Sequence, residues 1–485
     1  VIWTGSDDGL VHVTRDGGKT WKNVTPKGLA ECLVNAIDVS PFDKGTAYIA
    51  TTRFKFNDHA PGLYKTTDYG ATWTKIDKGI PNGAFTRVVR EDEVRRDLLF
   101  AGTELGLYVS WNGGTDWSPF QLNLPNAPIT DLKVHQGNLI AATSGRAMWI
   151  LDDLALLRQY KPAAPALVAY RPAPAYLVNG GSELNSTDSD FTGADLSHGV
   201  NPANGVVLYY QLPEVKKGET VSLEIADATG RVVRTLSSAK DTTFSRWDGG
   251  PPPEPTLSAT KGLNRFVWDM RHGTLRGVPG VYIEASYRGH KVSPGTYRLT
   301  LKAGDRTATT DAEVLANPLY TTDAATYAEY DRFMSRIEGE VTRMHDVVNE
   351  LQDAQDQLGS LLAALPADAR YADVRREAEA VLARLKAWDT DMVSRKTKAY
   401  DDPENFAQKF TANWLFMVNA TESDLPRVNQ PSRDRLAELE PEWMKLKARA
   451  DTLRDQDIVT LNKKLFDLGI GAIRQKKAPG LKPIG

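Results

Sequence analysis

Three copies of one short pattern punctuate the first quarter of the chain: TRDGGKTW (Thr14 to Trp21), TTDYGATW (Thr66 to Trp73) and SWNGGTDW (Ser110 to Trp117). The shared form is Ser/Thr-x-Asp-x-Gly-x-x-Trp, with Asn112 in place of Asp in the third copy. The tryptophans recur 52 and then 44 residues apart. A period of about 40–50 residues points to stacked or radially repeated sheets such as propeller blades.

Each copy is flanked by strand-like runs, as in Gly62–Thr66 before Asp68 and Ala71–Ile76 after it. The physics predicts a stapled hairpin. The carboxylate accepts backbone N–H groups two or three residues on, Gly70 supplies the backbone freedom the turn needs, and Trp73 offers a large apolar surface to the next blade. These residues resemble the Asp-box (BNR) repeat of sialidases, sortilin-type receptors and two-propeller xyloglucanases. The resemblance covers about residues 1–155 and implies a β-propeller. It implies no reaction, because the Asp box of that family lies away from the ligand face.

A blade has four strands, A to D from the axis outward. The second blade reads Asn35–Val39, Thr46–Thr52, Gly62–Thr66 and Thr72–Asp77; the third reads Thr86–Arg90, Leu98–Gly102, Gly106–Ser110 and Asp116–Gln121. The first starts at strand B with Val1–Thr4, and the fourth shows A (Ile129–Val134), B (Asn138–Ala142) and C (Met148–Leu151) without a clear D. About 3.5 blades are therefore expected, where closure takes 4–8. An open arc exposes apolar faces and strand edges. The expected partner is the N-terminal part of the same propeller, as a separate chain or fragment; a half-propeller closing by dimerisation is the alternative.

The chain continues in three further parts, giving a multidomain reading with boundaries 1–157, 158–204, 205–317 and 318–485. The Pro/Ala-rich stretch from Tyr160 to Ala175 and the polar run 179–204 read as linker and loop. From Val206 the period is two: Val221, Leu223 and Ile225 alternate with polar residues, and Phe266–Trp268 and Tyr297–Leu301 follow. Short strands between turn signals predict a β-sandwich. LEIADATGRVVRTL, GLNRFVWDM and SPGTYRLTL resemble the small Ig-like module of the flagellar hook-capping protein and of many exported enzymes. From Thr322 the period is helical. Ile337, Val341, Met344, Val348, Leu351, Gln355, Leu358, Leu362 and Leu365 form one seam, and Val374, Ala378, Val381, Leu385, Trp388 and Met392 form the facing one. Pro366 separates them, predicting an antiparallel helical hairpin. Phe406, Phe410, Trp414 and Met417 mark a third segment; a fourth runs from Leu436 to Leu468, with Pro441 expected to kink or restart it and Gly469 to cap it. The bundle is read as burying its own core. Propeller, Ig-like module and helical bundle in this order, with GRAMWILDDL (Gly145 to Leu154) as last propeller segment, resemble large exported bacterial proteins called sortilin-like or glycosyl hydrolase. That resemblance alone implies a periplasmic or extracellular protein.

A net charge of −3 gives no electrostatic case for nucleic acid, and no apolar run approaches the roughly 20 residues of a membrane span. Cys32 is the sole cysteine, so no internal disulfide forms. No His-Glu-x-x-His, P-loop or Gly-x-Ser-x-Gly motif is present, and no cofactor is expected. His272, Glu284 and His290 can approach one another, but their spacing carries no metal signature, so no metal is expected either.

In a propeller the B–C and D–A loops share the face opposite the Asp boxes. That face receives Asp7 and Asp8, then the long loop from Arg53 to His59, then Glu104, then Ser144 and Arg146. Long loops on a rigid scaffold carry function. Asp58, Glu104 and Asp8 are the carboxylates available for glycoside hydrolysis, which needs two of them about 5–9.5 Å apart. Arg53, His59 and Arg146 are the residues expected to contact ligand. A sialidase reading fails for want of a third Arg and a Tyr–Glu pair. Two functions follow: an exported propeller binding a peptide, protein or glycan on its loop face, or a carbohydrate-active enzyme on the same scaffold. The main alternative for the charges is a solvated rim.

Overall fold

The computed structural model describes residues 1–160, 167–185, 199–216, 218–422 and 426–475. They form two compact units, divided near residue 165, with residues 170–173 and 199–202 counted in the first.

The first unit is a row of antiparallel meanders. One sheet holds β1 (Ile2–Gly5), β2 (Val11–Thr14) and β3 (Lys22–Asn23). The next holds β4 (Leu33–Val39), β5 (Ala47–Arg53), β6 (Asp58–Thr66) and β7 (Thr74–Lys75). The third holds β8 (Thr86–Glu91), β9 (Leu99–Thr103), β10 (Gly106–Ser110) and β11 (Ser118–Pro119), and the last β12 (Ile129–His135), β13 (Asn138–Thr143) and β14 (Met148–Leu151). The expected strands are all present, to within a few residues. In place of a fourth strand in the last sheet stands a short helix, α1 (Ala155–Gln159), and Leu154 just before it is fully buried in the core between the third and fourth sheets.

Apolar side chains on both faces of each inner sheet explain the row. Val11, Val13 and Val24 pack with Ile49, Val34 and Trp73 between the first two sheets. Tyr48, Leu63 and Ile76 pack with Val89, Leu99 and Trp117 between the second and third. Phe100, Leu107 and Val109 pack with Ile129, Leu132 and Leu139 between the third and fourth. The innermost strands are tied by polar bonds as well. Asn35 Nδ2 donates to Thr86 O at 3.0 Å, Glu91 N–H to Asp38 Oδ2 at 2.8 Å, and Arg90 Nη2 to Asp131 Oδ1 at 2.8 Å. At Gly62 a Cβ would lie 2.2 Å from Thr51 Oγ1, so the close approach of β5 and β6 requires glycine there.

The motif is a staple, with a wiring that differs from the expected one. Asp68 Oδ1 accepts from Thr72 N–H, four residues on, at 2.8 Å, and its Oδ2 from the Thr72 hydroxyl at 2.6 Å. The Thr66 hydroxyl accepts the Gly70 N–H at 2.9 Å and donates to Asp68 Oδ1 at 2.9 Å. Thr14, Asp16, Gly18 and Thr20 repeat the set. In the third copy Asn112 Oδ1 accepts from Asp116 N–H at 3.0 Å while its Nδ2 donates to Asp116 Oδ2 at 3.3 Å, so the amide keeps the acceptor role and swaps the sign of its partner. The tryptophan reaches the preceding sheet, where the sequence reading sent it to the next: Trp73 Nε1 donates to Val24 O at 2.7 Å and Trp117 Nε1 to Ile76 O at 2.5 Å. Trp21 belongs to the first sheet and is 45% exposed.

The second unit joins a sandwich and helices. Its sheets are β15 (Val168–Ala169), β17 (Val206–Leu212) and β20 (Gly262–Trp268), facing β16 (Ala175–Tyr176), β22 (Arg306–Leu315), β21 (Gly295–Ala303), β18 (Val221–Ala226) and β19 (Val232–Ser237). Val206, Leu208, Tyr210, Val221, Leu223, Ile225, Leu299 and Leu301 meet in one core. The strands β15 and β16 lie in the stretch read as linker. Val168 pairs with Gln211, and Ala175 pairs in parallel with Val314. Part of the linker and loop reading (161–166 and 186–198) lies outside the described residues.

The helices are α2 (Ala324–Ala364), α3 (Ala372–Met392), α4 (Asp402–Asn405), α5 (Phe410–Thr421), α6 (Gln430–Thr452) and α7 (Ile458–Asp467). Asp323 caps α2 by accepting Thr326 N–H at 2.7 Å. Both seams are buried, Gln355 included, except for Leu362, which is partly buried. Pro441 lies inside an unbroken α6, and a π-helical turn at Leu453–Asp457 makes the break before α7. Gly469 takes φ +71° just past the end, as expected. The segment between β20 and β21, expected within the sandwich, instead sends Leu275, Val278, Val281, Ile283 and Tyr287 into the helical core. Trp388, wholly buried, donates to Leu446 O at 2.8 Å.

Candidate functional site

The β5–β6 connection is one of the hairpins opposite the staples. It folds into a 3₁₀ turn, Phe54–Phe56, closed by Asn57 at φ +56°. The turn holds two phenylalanines in the open: Phe54 is 38% and Phe56 51% exposed. Phe54 stacks on Phe85, with ring centroids 5.3 Å apart and planes 19° apart, and the His59 ring lies 5.8 Å from Phe85 on a tilt. Phe85 sits at the start of β8, in the connection from the second sheet to the third, where its carbonyl accepts Glu104 N–H at 3.0 Å. The guanidinium of Arg87 lies 5.2 Å over Phe85 and that of Arg53 5.1 Å over Phe56. Aromatic rings and cations thus form one platform across two sheets.

The carboxylates of this platform are tied to its cations. Arg53 Nε donates to Asp58 Oδ2 at 2.9 Å, and Arg53 also reaches Glu31 O. Arg87 Nε donates to Glu104 Oε2 at 2.7 Å. The Ala60 N–H and then Arg53 hold Asp58 below the usual carboxylate range. Asp8 belongs to the first sheet's hairpin. It accepts from the Ser6 hydroxyl and from Leu10 N–H, and these bonds, the Ser6 one foremost, lower its pKa. Arg146 is exposed in the fourth sheet's hairpin. Its Nη1 donates to Gly145 O at 3.1 Å and its own carbonyl accepts Trp149 Nε1 at 2.8 Å.

Of the six residues singled out from the sequence, the structure brings four together: Arg53, Asp58, His59 and Glu104. Asp8 and Arg146 are held by their own hairpins. The sequence reading missed Phe54, Phe56, Phe85 and Arg87. Phe85 and Thr86 are both buried, and the Thr86 hydroxyl ties this connection to the second sheet through Thr51 O and Gly62 O, so packing between sheets places the ring. Of the three groups proposed to approach in the second unit, His272 and His290 stack while Glu284 is exposed. No helix among the described residues is long and apolar enough to cross a membrane.

No protein-family model matches the chain, and no curated protein matches it either. Among solved structures it is similar to YCF48 bound to D1 peptide, at 19% identity over 31% of this chain and 46% of that one, with a TM-score of 0.25. It is similar to YCF48 from Cyanidioschyzon merolae at 17% identity, over 49% and 68% of the two chains, with a TM-score of 0.25. It is also similar to the GH74 enzyme of Niastella koreensis at 14% identity, over 64% and 51%, with a TM-score of 0.26. The chain spans about half the length of the first and third of these. Likeness at this level leaves the function to be argued from the site.

Proposed function

We propose that the first unit is part of an Asp-box propeller that binds a peptide, protein or glycan on the face carrying its β5–β6 and β9–β10 hairpins. The observation that carries this reading is the Phe54–Phe85–His59 stack with Arg53 and Arg87 over aromatic faces. Two exposed phenylalanines on a rigid hairpin give an apolar contact surface, and the bordering guanidiniums give orientation by hydrogen bonding. YCF48, similar in part, has been seen with a bound peptide; the GH74 xyloglucanase of Xanthomonas campestris, similar in part as well, represents the other class. Neither chooses between them. A glycosidase needs one carboxylic acid with a raised pKa; Asp8 and Asp58 are both held low and do not fill that role.

The row of sheets presents an apolar face at each end. Met148 and Ile150 on β14 are 76% and 59% exposed while Trp149 and Leu151 turn inward, and Ile2 and Trp21 are exposed at the other end. Further blades, in a separate chain or fragment of the same propeller, are the partner that would complete a ring there. The sandwich, read as an Ig-like module, and the helices serve as scaffold. Export to the periplasm or cell exterior rests on the resemblance of the repeat alone.

Screening peptide and glycan libraries with the full chain tests the reading. Phe54→Ala and Phe56→Ala should each weaken a retained ligand at least about tenfold, a loss of about 1.4 kcal/mol. Unchanged binding in both variants overturns the assignment of the face. Glycan cleavage that disappears in Glu104→Gln would replace the binder by the enzyme.

A further inference from the structure

In the second unit an antiparallel pairing of Arg271 with Lys291 lays His272 beside His290. His272 N–H donates to His290 O at 3.0 Å, and the two rings stack with centroids 4.1 Å apart and planes 16° apart. Helix α2 faces them with Asp331 and, two turns on along the same stripe, Glu338. Asp331 Oδ1 lies 3.3 Å from His290 Nε2 and 3.5 Å from His272 Nε2. These three ligand atoms all lie within 4.8 Å of one another.

We propose that His272 Nε2, His290 Nε2 and Asp331 Oδ1 form a binding site for a divalent transition metal ion of the zinc class, with a fourth position open to water. Bonds of about 2.0–2.1 Å in tetrahedral geometry put neighbouring ligand atoms roughly 3.3 Å apart. Both N–O separations in the cluster are close to that edge. The surroundings are those of a supported site. Glu338 Oε2 lies 2.8 Å from His290 Nδ1, and Glu338 Oε1 accepts the His290 backbone N–H at 2.8 Å. With Nδ1–H given to this carboxylate, Nε2 is the nitrogen left with a lone pair, the usual outer-shell arrangement for a metal-bound histidine. Arg231 Nη2 donates to Asp331 Oδ2 at 2.7 Å, so one carboxylate oxygen is fixed and Oδ1 is turned to the histidines.

The electrostatics call for a cation. A neutral His290 with Nδ1–H on Glu338 would set its Nε2 lone pair against the Asp331 oxygen. His272 Nε2 is buried and has no hydrogen-bond donor or acceptor of good geometry. Asp227 and Asp331 share one guanidinium, Arg231, whose Nε donates to Asp227 at 3.1 Å, and Glu338 adds a third carboxylate on the far side of His290. A divalent ion held by two neutral imidazoles balances this group; a single proton on His290 leaves it one charge short. His290 is wholly buried, while His272 and Asp331 keep 15% and 17% of their side chains exposed, which leaves an entry path. His272, the outer ring, tilts out of its stack to bring its lone pair to the ion.

Titration of the chelator-stripped full chain with ZnCl2 by calorimetry decides the matter, with CoCl2 absorption as a second readout. One ion should bind with micromolar or tighter affinity, and Co2+ should give the intense visible bands of four-coordinate N/O ligation. His272→Ala and Asp331→Asn should lower the Zn2+ affinity by more than about 100-fold, and Glu338→Gln, acting through His290, by about 10–100-fold. His272→Ala removes a partly exposed side chain and leaves the Arg231–Asp331 pair, so it keeps the fold. His135→Ala, on an exposed site of the first unit, should bind as the parent does. Absence of saturable binding, or a His272→Ala affinity equal to the parent's, overturns the proposal. So does a nitrogen NMR signature of His290 protonated on both ring nitrogens in the presence of excess Zn2+, which would make the proton the resident cation.

Discussion

In the row of sheets, apolar burial is shared out in three thin layers, each made by two neighbouring sheets. In the second unit one core runs along α2 and gathers four other helices, α3, α5, α6 and α7, and the 275–287 segment around it. The row has two ends, where Trp21, Met148 and Ile150 meet solvent. In the bundle the seams from Ile337 to Leu358 and from Val374 to Met392 are closed by one another and by Trp414, Trp443 and Leu461, while Met444 and Phe466 stand exposed on the outer faces of α6 and α7. A repeat unit that buries its faces on copies of itself is stable only as part of a series, whereas a bundle closes on itself.

Two units with separate cores should melt in separate transitions, so each variant can be read on its own unit. The largest effect is expected for Trp388→Ala, which empties a wholly buried site and removes the bond to Leu446 O. It should cost about 3–5 kcal/mol in the second unit and leave the first transition in place. Trp117→Ala, 4% exposed and bonded to Ile76 O, should do the reverse with a loss of similar size, about 3–5 kcal/mol. If either variant shifts both transitions equally in calorimetry, the separation of the cores is wrong.

His345 makes the second unit sensitive to acid. This residue is wholly buried on α2 and donates from Nδ1 to Arg276 O at 2.6 Å; burial pushes its pKa down from 6.5 to about 4. The unfolded chain then binds the proton more readily than the folded one. The His345 contribution is complete above pH 6.5 and is lost as pH falls toward 4, a change of about 3 kcal/mol. Urea melts at pH 7.5 and pH 5 should show the loss in the second transition, and His345→Gln should flatten it.

A smaller effect is expected at the staples. Asp68→Ala removes the acceptor of the Thr72 N–H and hydroxyl and should lower the first transition, by less than Trp117→Ala does. Smallest is Trp21→Ala, which should change the isolated chain by less than about 0.5 kcal/mol, since its ring is 45% exposed. The contrast with Trp117 is informative: with further blades seated on the first sheet, Trp21→Ala should become as costly as Trp117→Ala. Equal costs for the two in the isolated chain would mean that the first sheet is already covered.

The strands of all four sheets could be placed from sequence because alternation and the Ser/Thr-x-Asp-x-Gly-x-x-Trp pattern are local signals. A side chain that bonds its own turn leaves its mark within eight residues. The helical seams were legible for the same reason, since a period near 3.6 follows from the backbone alone. The direction of each tryptophan was misjudged because an apolar side chain states that it is buried and not against which neighbour. The 275–287 segment went to the wrong layer on the same ground.

At the loop face the sequence supplied Arg53, Asp58, His59 and Glu104 as polar groups on predicted turns. It did not supply the ring of Phe85 beneath them, which arrives from the next sheet. The His272–His290–Asp331 cluster shows the limit most clearly. Eighteen residues of chain separate the histidines and 41 separate His290 from Asp331, so no spacing rule joins them. Local periodicity determined which elements this chain forms and which sides of them are apolar. Only the packing of distant elements decided which charges meet, because Coulomb and hydrogen-bond energies depend on separation in space and not along the chain.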